Sequence, residues 1–255
     1  MIYAASRLYA RAFSYRDFAA ESQFLREQFR ALKKREARSF CEFACGPADH
    51  SVELAAAGLD GLAVDIEPSM VELVDERIQA RALETKLRAI AHDMRRPLDE
   101  RVDLAFTLLD STAHLLSTDD MVDHLSAVRT CLENDGVYVL EMAHPGDVFS
   151  VSEKTKSEWT IQDDDGALTV RWEPIDGTFD PISQCEQVAI HLEPEHGDAI
   201  QDRIQLRRWT AQELGLHCRI AGLQIIQQYG AFDSRVPLDS SERSWRMISL
   251  LTVGT

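Results

Sequence analysis

The chain has 255 residues, enough for one large α/β domain or for a core domain with a small insertion. Apolar residues make up 45% of it and charged residues 27%, the balance of an ordinary water-soluble globular protein. A net charge of −16 repels polyanions, which argues against nucleic acid or an anionic membrane as a partner; the short basic run "LKKREAR" at 32–38 reads as a solvated helix end.

The opening "MIYAASRLYARAFSYRDF" carries charges at short intervals and lacks the apolar core of a signal peptide. No apolar run approaches the ~20 residues that span a bilayer, so the expected location is the cytoplasm. Leu8, Ala12, Phe13, Phe18, Phe24, Leu25, Phe29 and Leu32 recur at helical spacing, predicting helix over 6–36. Tyr9, Phe13 and Tyr15 in it are candidates for a lid over a ligand mouth, and part of Tyr15-Arg16-Asp17 is polar enough to face a ligand carboxylate.

Residues 38–44 predict a first strand, and Asp49 a cap for a helix over 50–57 that Gly58 ends. "GLAVDIEP" at 61–68 predicts a second strand, with Pro68 opening a helix to 81. "LRAIAHDM" and "VDLAFTLLDS" predict a third and a fourth strand. "TDDMVDHLSAVRTCLENDG" predicts a helix capped by Thr118 and ended by Gly136, with His124 on a solvated face. "VYVLEMA" predicts a fifth strand. Alternating strands and helices make a parallel sheet covered on both faces.

From 157 to about 208 the pattern changes to short β-rich runs. Two hairpins are expected there, turning at Asp164-Asp165-Gly166 and near His196-Gly197. Trp159, Trp172 and Trp209 lie in or beside them and either line a pocket or fill a second small core. Thr210 and Glu213 form a capping box for a closing helix, and "GLQIIQQYG" and "WRMISLLTVG" predict two last strands. Tyr229, Phe232 and Asp233 leave the first of these toward the ligand mouth.

The stretch "FCEFACGPADHS" at 40–51 is the informative one. A strand breaks into a turn of small residues at Ala44, Gly46 and Ala48, where backbone approaches a ligand closely and helix amides point at it. A pyrophosphate turn needs G-x-G-x-x-G, whereas Pro47 removes a donor here and Asp49 adds a negative charge. A ribose with a cationic or zwitterionic tail fits better. Asp65, 19 residues after Gly46, ends the second strand and can accept both ribose hydroxyls, as an acid does there in dinucleotide folds. Asp93 ends the third strand, suited to an adenine amino group, with Met94 as an apolar face beside it. The five cysteines (Cys41, Cys45, Cys131, Cys185, Cys218) form no C-x-x-C pair, so no metal site is expected and they read as buried thiols.

"EFACGPAD", "VDIEPSM", "AHDM" and "DLAFTLLDS…DDMVDHLSAVRTCLENDGVYVLEM", in this order and spacing, resemble the class I S-adenosylmethionine-dependent methyltransferases, and more narrowly the bacterial small-molecule N- and O-methyltransferases. The resemblance is good over 38–143 and looser outside it. It implies a doubly wound, seven-stranded, mostly parallel α/β sheet with an N-terminal helical lid and an antiparallel β insertion. The expected layout is a single domain, 1–255, divided into lid (1–37), cofactor core (38–150), insertion (151–208) and closing helix and strands (209–255). By the same match Glu42, Ala44, Cys45 and Gly46 would cradle the methionine part of S-adenosylmethionine. Asp65 would bind ribose, flanked by Ile66 or Glu67; Asp93 and Met94 would hold adenine; and Leu109, Asp110 and Ser111 would lie near the sulfonium.

The implied reaction is in-line transfer of a methyl group to a nitrogen or oxygen of a small-molecule acceptor. The thioether leaves without acid help, so alignment supplies much of the rate and a base helps an ammonium or hydroxyl nucleophile. His114 and His144 follow the fourth and fifth strands on the ligand side and are the candidate bases. The insertion would supply specificity, a homodimer contact, or both. Two alternatives stand beside this reading: a nicotinamide-dependent oxidoreductase, disfavoured by the missing glycines, and a non-catalytic cofactor-binding subunit.

Overall fold

A computed structural model describes residues 2–146 and 157–254. Seven strands form the main sheet: β1 (Ser39–Phe43), β2 (Asp60–Asp65), β3 (Leu87–Ala91), β4 (Val102–Thr107), β5 (Leu132–Ala143), β10 (Leu223–Tyr229) and β11 (Arg246–Val253). Their order is β10-β11-β5-β4-β1-β2-β3. β1 to β5 run parallel, and β11 is inserted antiparallel to both β5 and β10. Strand order therefore reverses at β1, which lies between β2 and β4. The crevice at the carboxyl ends of such strands is where open α/β sheets bind ligands.

Alternate side chains of each strand go to opposite faces. Phe40, Leu104, Phe106, Val137 and Val139 pack beneath α2 (Phe18–Lys33), α3 (Asp49–Ala56) and α4 (Pro68–Ala80). Cys41, Phe43, Ala105, Tyr138 and Leu140 pack on the other side against α5 (Thr118–Cys131) and α6 (Ala211–Ala221). A Cβ at Gly61 would lie 2.0 Å from the Phe40 ring, so only glycine lets that ring lie across the paired strand.

The second sheet is the antiparallel insertion: β6 (Ser157–Asp163), β7 (Gly166–Pro174), β8 (Cys185–Pro194) and β9 (Ile200–Arg207), in that order. Its inner face buries Leu168, Val170, Val188, Ile190 and Leu192 against Ile2, Leu8, Tyr9 and Phe13 of the N-terminal segment. That segment holds α1 (Ser6–Ala12) and is fastened to the insertion by polar contacts as well. Arg11 grips Asp163 with two hydrogen bonds (2.8 and 2.9 Å), Trp159 Nε1 donates to the Ala12 carbonyl (2.7 Å), and the Ile2 amide donates to Asp202 (2.6 Å).

Several local expectations are corrected. The helix expected over 6–36 is two helices, broken at 13–17. Asp17 caps the second of them by accepting the Ala20 amide, and the break lets Arg16 reach buried Glu21 and Glu141. Asp49 is the first residue of α3 and pairs with Arg77 rather than capping, and Ser117 caps α5 in place of Thr118. α5 ends at Cys131 and Gly136 lies within β5.

His124 is a further correction, fully buried rather than solvated. It hydrogen-bonds Tyr138 Oη (2.9 Å) and the Met94 carbonyl (3.0 Å), and burial pulls its pKa down to about 4. Tyr229 and Phe232 turn from the ligand mouth and pack on Phe24 of α2, and Tyr229 donates to Gln28 (2.7 Å).

Candidate functional site

A cavity of about 910 Å³ opens at the carboxyl ends of β1 to β5, with the N-terminal segment and the insertion forming its other walls. Of the residues expected to hold a cofactor, Tyr15, Ala44, Gly46, Asp65, Ile66, Asp93, Met94, Leu109 and Asp110 line it, and so does His114. Glu42, Cys45 and His144 are not among its lining residues.

The turn after β1 is left-handed at alternate positions: φ is +52° at Ala44, +52° at Gly46 and +57° at Ala48. An alanine there costs roughly 1–2 kcal/mol, which the surrounding contacts must offset. A Cβ on Gly46 would meet the Tyr9 ring at 3.8 Å, an ordinary contact, so glycine is favoured there by its positive φ, and the turn lies directly against the lid. Asp65 fixes the turn from β2. Its carboxylate accepts the Gly46 amide (2.7 Å) and the Glu67 amide (2.9 Å). Burial lifts its pKa above the ordinary range while those two amides oppose the rise. A carboxylate has about four acceptor sites, so two remain for hydroxyls.

Asp93 is held bidentately by Arg95, whose guanidinium keeps it ionised below the usual range. Ionised, it is an acceptor beside the apolar Met94. These residues fit a nucleoside: a bare backbone turn, an acid with free lone pairs at the second strand tip, and an ionised acid beside a thioether at the third.

The next turn, after β4, is also strained, with φ of +58° at Leu109 and +57° at Asp110. The Leu109 amide donates to Glu141 (2.8 Å), and Asp110 accepts the Ala143 amide (3.1 Å). Burial raises the Asp110 pKa to about 6, against the pull of Arg208, whose Nη1 is 3.9 Å away. Arg208 in turn grips buried Glu186, with Nε at 2.5 Å. Asp110, Arg208 and Glu186 thus form a charged chain that ties the turn to the insertion.

Behind the cavity lies an ionic network. Glu141 is fully buried between Arg16 (3.1 Å) and Arg246 (3.2 Å); burial disfavours its charge, but the two guanidiniums outweigh it and hold its pKa low. Arg16 also binds Glu21 (2.8 Å), which meets His50 Nε2 at 2.7 Å. Burial would pull His50 down, but hydrogen bonds and charge from Glu21 and Glu42 raise its pKa to about 9, so it is protonated at neutral pH. Glu42 binds the Ser51 hydroxyl (2.5 Å) and amide (3.2 Å) at the start of α3. Of Tyr15-Arg16-Asp17, part of which is expected to face a cofactor carboxylate, Tyr15 lines the cavity, whereas Arg16 belongs to this network and Asp17 caps α2.

His114 follows β4 as expected and its Nε2 is 2.9 Å from Tyr3 Oη. It borders the cavity but is ringed by protein, and that desolvation lowers its pKa, leaving a neutral imidazole. His144 hydrogen-bonds the Asp239 carbonyl (2.9 Å) and accepts the Gly146 amide (3.0 Å), apart from the other candidates. Cys45 is buried and its thiol pKa is pushed up, chiefly by burial. Among the described residues no group of three or more His, Cys, Asp or Glu could hold a metal ion. Likewise, no helix is long and apolar enough to cross a membrane.

Tyr3, Glu186, Arg208 and Arg246 line the cavity and were not singled out in the sequence. For the first three the sequence holds no local signal, because their partners are far along the chain. Arg246, and Glu141 behind it, had one: "VYVLEM" places a further acid near a strand tip, and a buried acid needs a cation.

Residues 40–136 match the family model described as a methyltransferase domain. A curated relative, glycine/sarcosine N-methyltransferase of Aphanothece halophytica, is 30% identical over 126 residues, 48% of this chain and 46% of the relative. The chain thus matches about half of that protein's length. Among solved structures, an S-adenosylmethionine-dependent methyltransferase from Clostridium acetobutylicum superposes with a TM-score of 0.78 at 18% identity, covering 94% of this chain and 93% of the other. A sugar N-methyltransferase from Streptoalloteichus gives a TM-score of 0.72 at 18% identity, covering 94% and 89%.

Proposed function

We propose that this chain, which has the fold of the S-adenosylmethionine-dependent methyltransferases it superposes on and a methyltransferase-domain match over residues 40–136, moves a methyl group from S-adenosylmethionine to the nitrogen of a small-molecule amine. The observation that carries this is the placement of Asp110, in a strained turn, at the junction between the nucleoside-fitting strand tips and the insertion wall. A carboxylate there attracts an ammonium group and can take its proton. An oxygen acceptor gains less from such an acid. The N-methyltransferase names of the sequence relative and of the sugar-modifying neighbour point the same way.

When bound, S-adenosylmethionine supplies an electrophilic methyl group on a sulfonium and departs as a neutral thioether. The roles of the chain are alignment, desolvation and proton handling. Asp65 would take the ribose hydroxyls while it holds the Gly46 turn, and Asp93 with Met94 would take the adenine. Tyr9, Phe13 and Tyr15 cover the mouth and exclude water, which strengthens the electrostatics inside. Asp110, ionised above about pH 6, accepts the proton that the attacking nitrogen must lose. Neutral His114, paired with Tyr3, is a second acceptor in the same wall.

Titration calorimetry with S-adenosylhomocysteine tests the cofactor half. Binding is expected in the wild type. Asp65→Ala should weaken it about 100-fold, since two charge-assisted hydrogen bonds on the turn and those to the ribose disappear together. Unchanged affinity in that variant would remove the basis of the assignment.

A further inference from the structure

Resting on the methyltransferase reading, we infer that the acceptor is an amine carried on a bulky apolar body, which lies on the insertion wall while its nitrogen meets Asp110. Three observations carry this. First, the cavity of about 910 Å³ runs from the strand tips to the insertion, so that Trp159, Trp172, Pro174 and Leu206 line the same space as Asp65, Asp93 and Asp110.

Second, the two ends of the cavity differ in chemistry. The strand tips present backbone and carboxylates. The insertion presents Trp159 from β6, Trp172 and Pro174 from β7, Leu206 from β9, and Phe179 from the loop after β7. Antiparallel pairing explains the grouping, because alternate residues of each strand face the lid. The ionisable groups on this wall, Glu186 and Arg208, are paired to each other and leave the apolar surface as its main feature.

Third, the rings are already arranged as a continuous wall. Phe13 meets Trp159 at 5.8 Å and Trp172 at 6.0 Å, both edge-on, and Tyr15 meets Trp159 at 5.8 Å. Such a surface favours an apolar or aromatic body, and its ring faces tolerate a nearby cation. A compact polar amine would leave this wall wet and gain nothing from it.

The test loads the 255-residue chain with S-adenosylhomocysteine and titrates 2-phenylethylamine, ethylamine and glycine by calorimetry. The expected result is binding of 2-phenylethylamine at least ten-fold tighter than ethylamine, with glycine weakest. Trp172→Ala should narrow that gap to under three-fold. Phe179→Ser, on an exposed loop, should narrow it less while the S-adenosylhomocysteine heat shows the protein still folded. Glycine or ethylamine binding as tightly as 2-phenylethylamine, a gap unchanged in both variants, or no heat from any amine would overturn the acceptor class and leave the cofactor reading standing. No heat from S-adenosylhomocysteine in the wild type would instead bring down the reading beneath it.

Discussion

The two walls of the cavity are made by different means. The strand-tip wall is backbone held in costly conformations, at Ala44, Gly46, Ala48, Leu109 and Asp110, with buried carboxylates tying each turn in place. The opposite wall is made of side chains, the rings and aliphatic groups of the N-terminal segment and the insertion. The first can be altered only by breaking hydrogen bonds that several residues share. The second can be resized one side chain at a time. Under the proposed function, the first wall takes the nucleoside and the second takes the molecule placed next to it.

The largest effect that would sharpen this contrast is expected at the junction. Asp110→Asn should lower kcat/KM by about 10²–10⁴, the usual contribution of a positioned proton acceptor. The wild-type rate should rise as pH climbs through about 6, where Asp110 ionises, and that limb should be missing in the variant. The sign for stability is opposite. A carboxyl whose folded pKa is raised loses stability as pH rises through that value, so Asp110→Asn should be at least as stable as wild type above pH 7. A variant that is slow because it is unfolded would contradict this, and thermal melts at pH 5 and 8 separate the two cases. The Asp65→Ala loss of roughly two orders of magnitude in cofactor affinity is next, and belongs to the backbone wall.

A smaller effect comes from the network beneath that wall. The His50 pKa is raised from about 6.5 unfolded to about 9 in the folded chain. Its contribution is complete below the unfolded value and lost as pH rises through about 9. Wild type should therefore lose roughly 2–3 kcal/mol between pH 6.5 and 9.5, and His50→Gln should flatten that slope, read by urea titration across the range. The slightest change is expected on the side-chain wall. Arg11→Ala removes the exposed latch to Asp163 and should raise KM about three-fold with kcat nearly unchanged. A ten-fold fall in kcat from that substitution would mean the lid takes part in the reaction centre, and the contrast between the walls would fail.

The same contrast sets what could be read in the sequence. Asp65 and Asp93 were legible as cavity-lining acids because each stands at or just after the end of a strand, and the parallel plan sends those ends to one crevice, whereas Asp110 was placed there only by the family resemblance. The small residues at 44, 46 and 48 were legible as a close-approach turn. Glu186, Arg208 and Tyr3 were not, because their places depend on partners distant in the chain. The pairing of β8 with β9 sets Cys185 opposite Arg207 and Glu186 opposite Leu206, and nothing local specifies that register. His124 was misread for the same reason: its neighbours in sequence are acids, whereas Tyr138 and the Met94 carbonyl, which bury it, come from elsewhere. The helix break at 13–17 was hidden because Phe13 and Phe18 keep the apolar spacing across it, and the contact it permits, Arg16 to Glu141, spans 125 positions.

The insertion sheet has one further implication. No strand of 157–207 pairs with a strand of the seven-stranded sheet among the described residues. The insertion therefore completes its own backbone pairing, and it meets the N-terminal segment through side-chain packing, so its inner face can be rebuilt without disturbing the hydrogen-bond ladder of the main sheet.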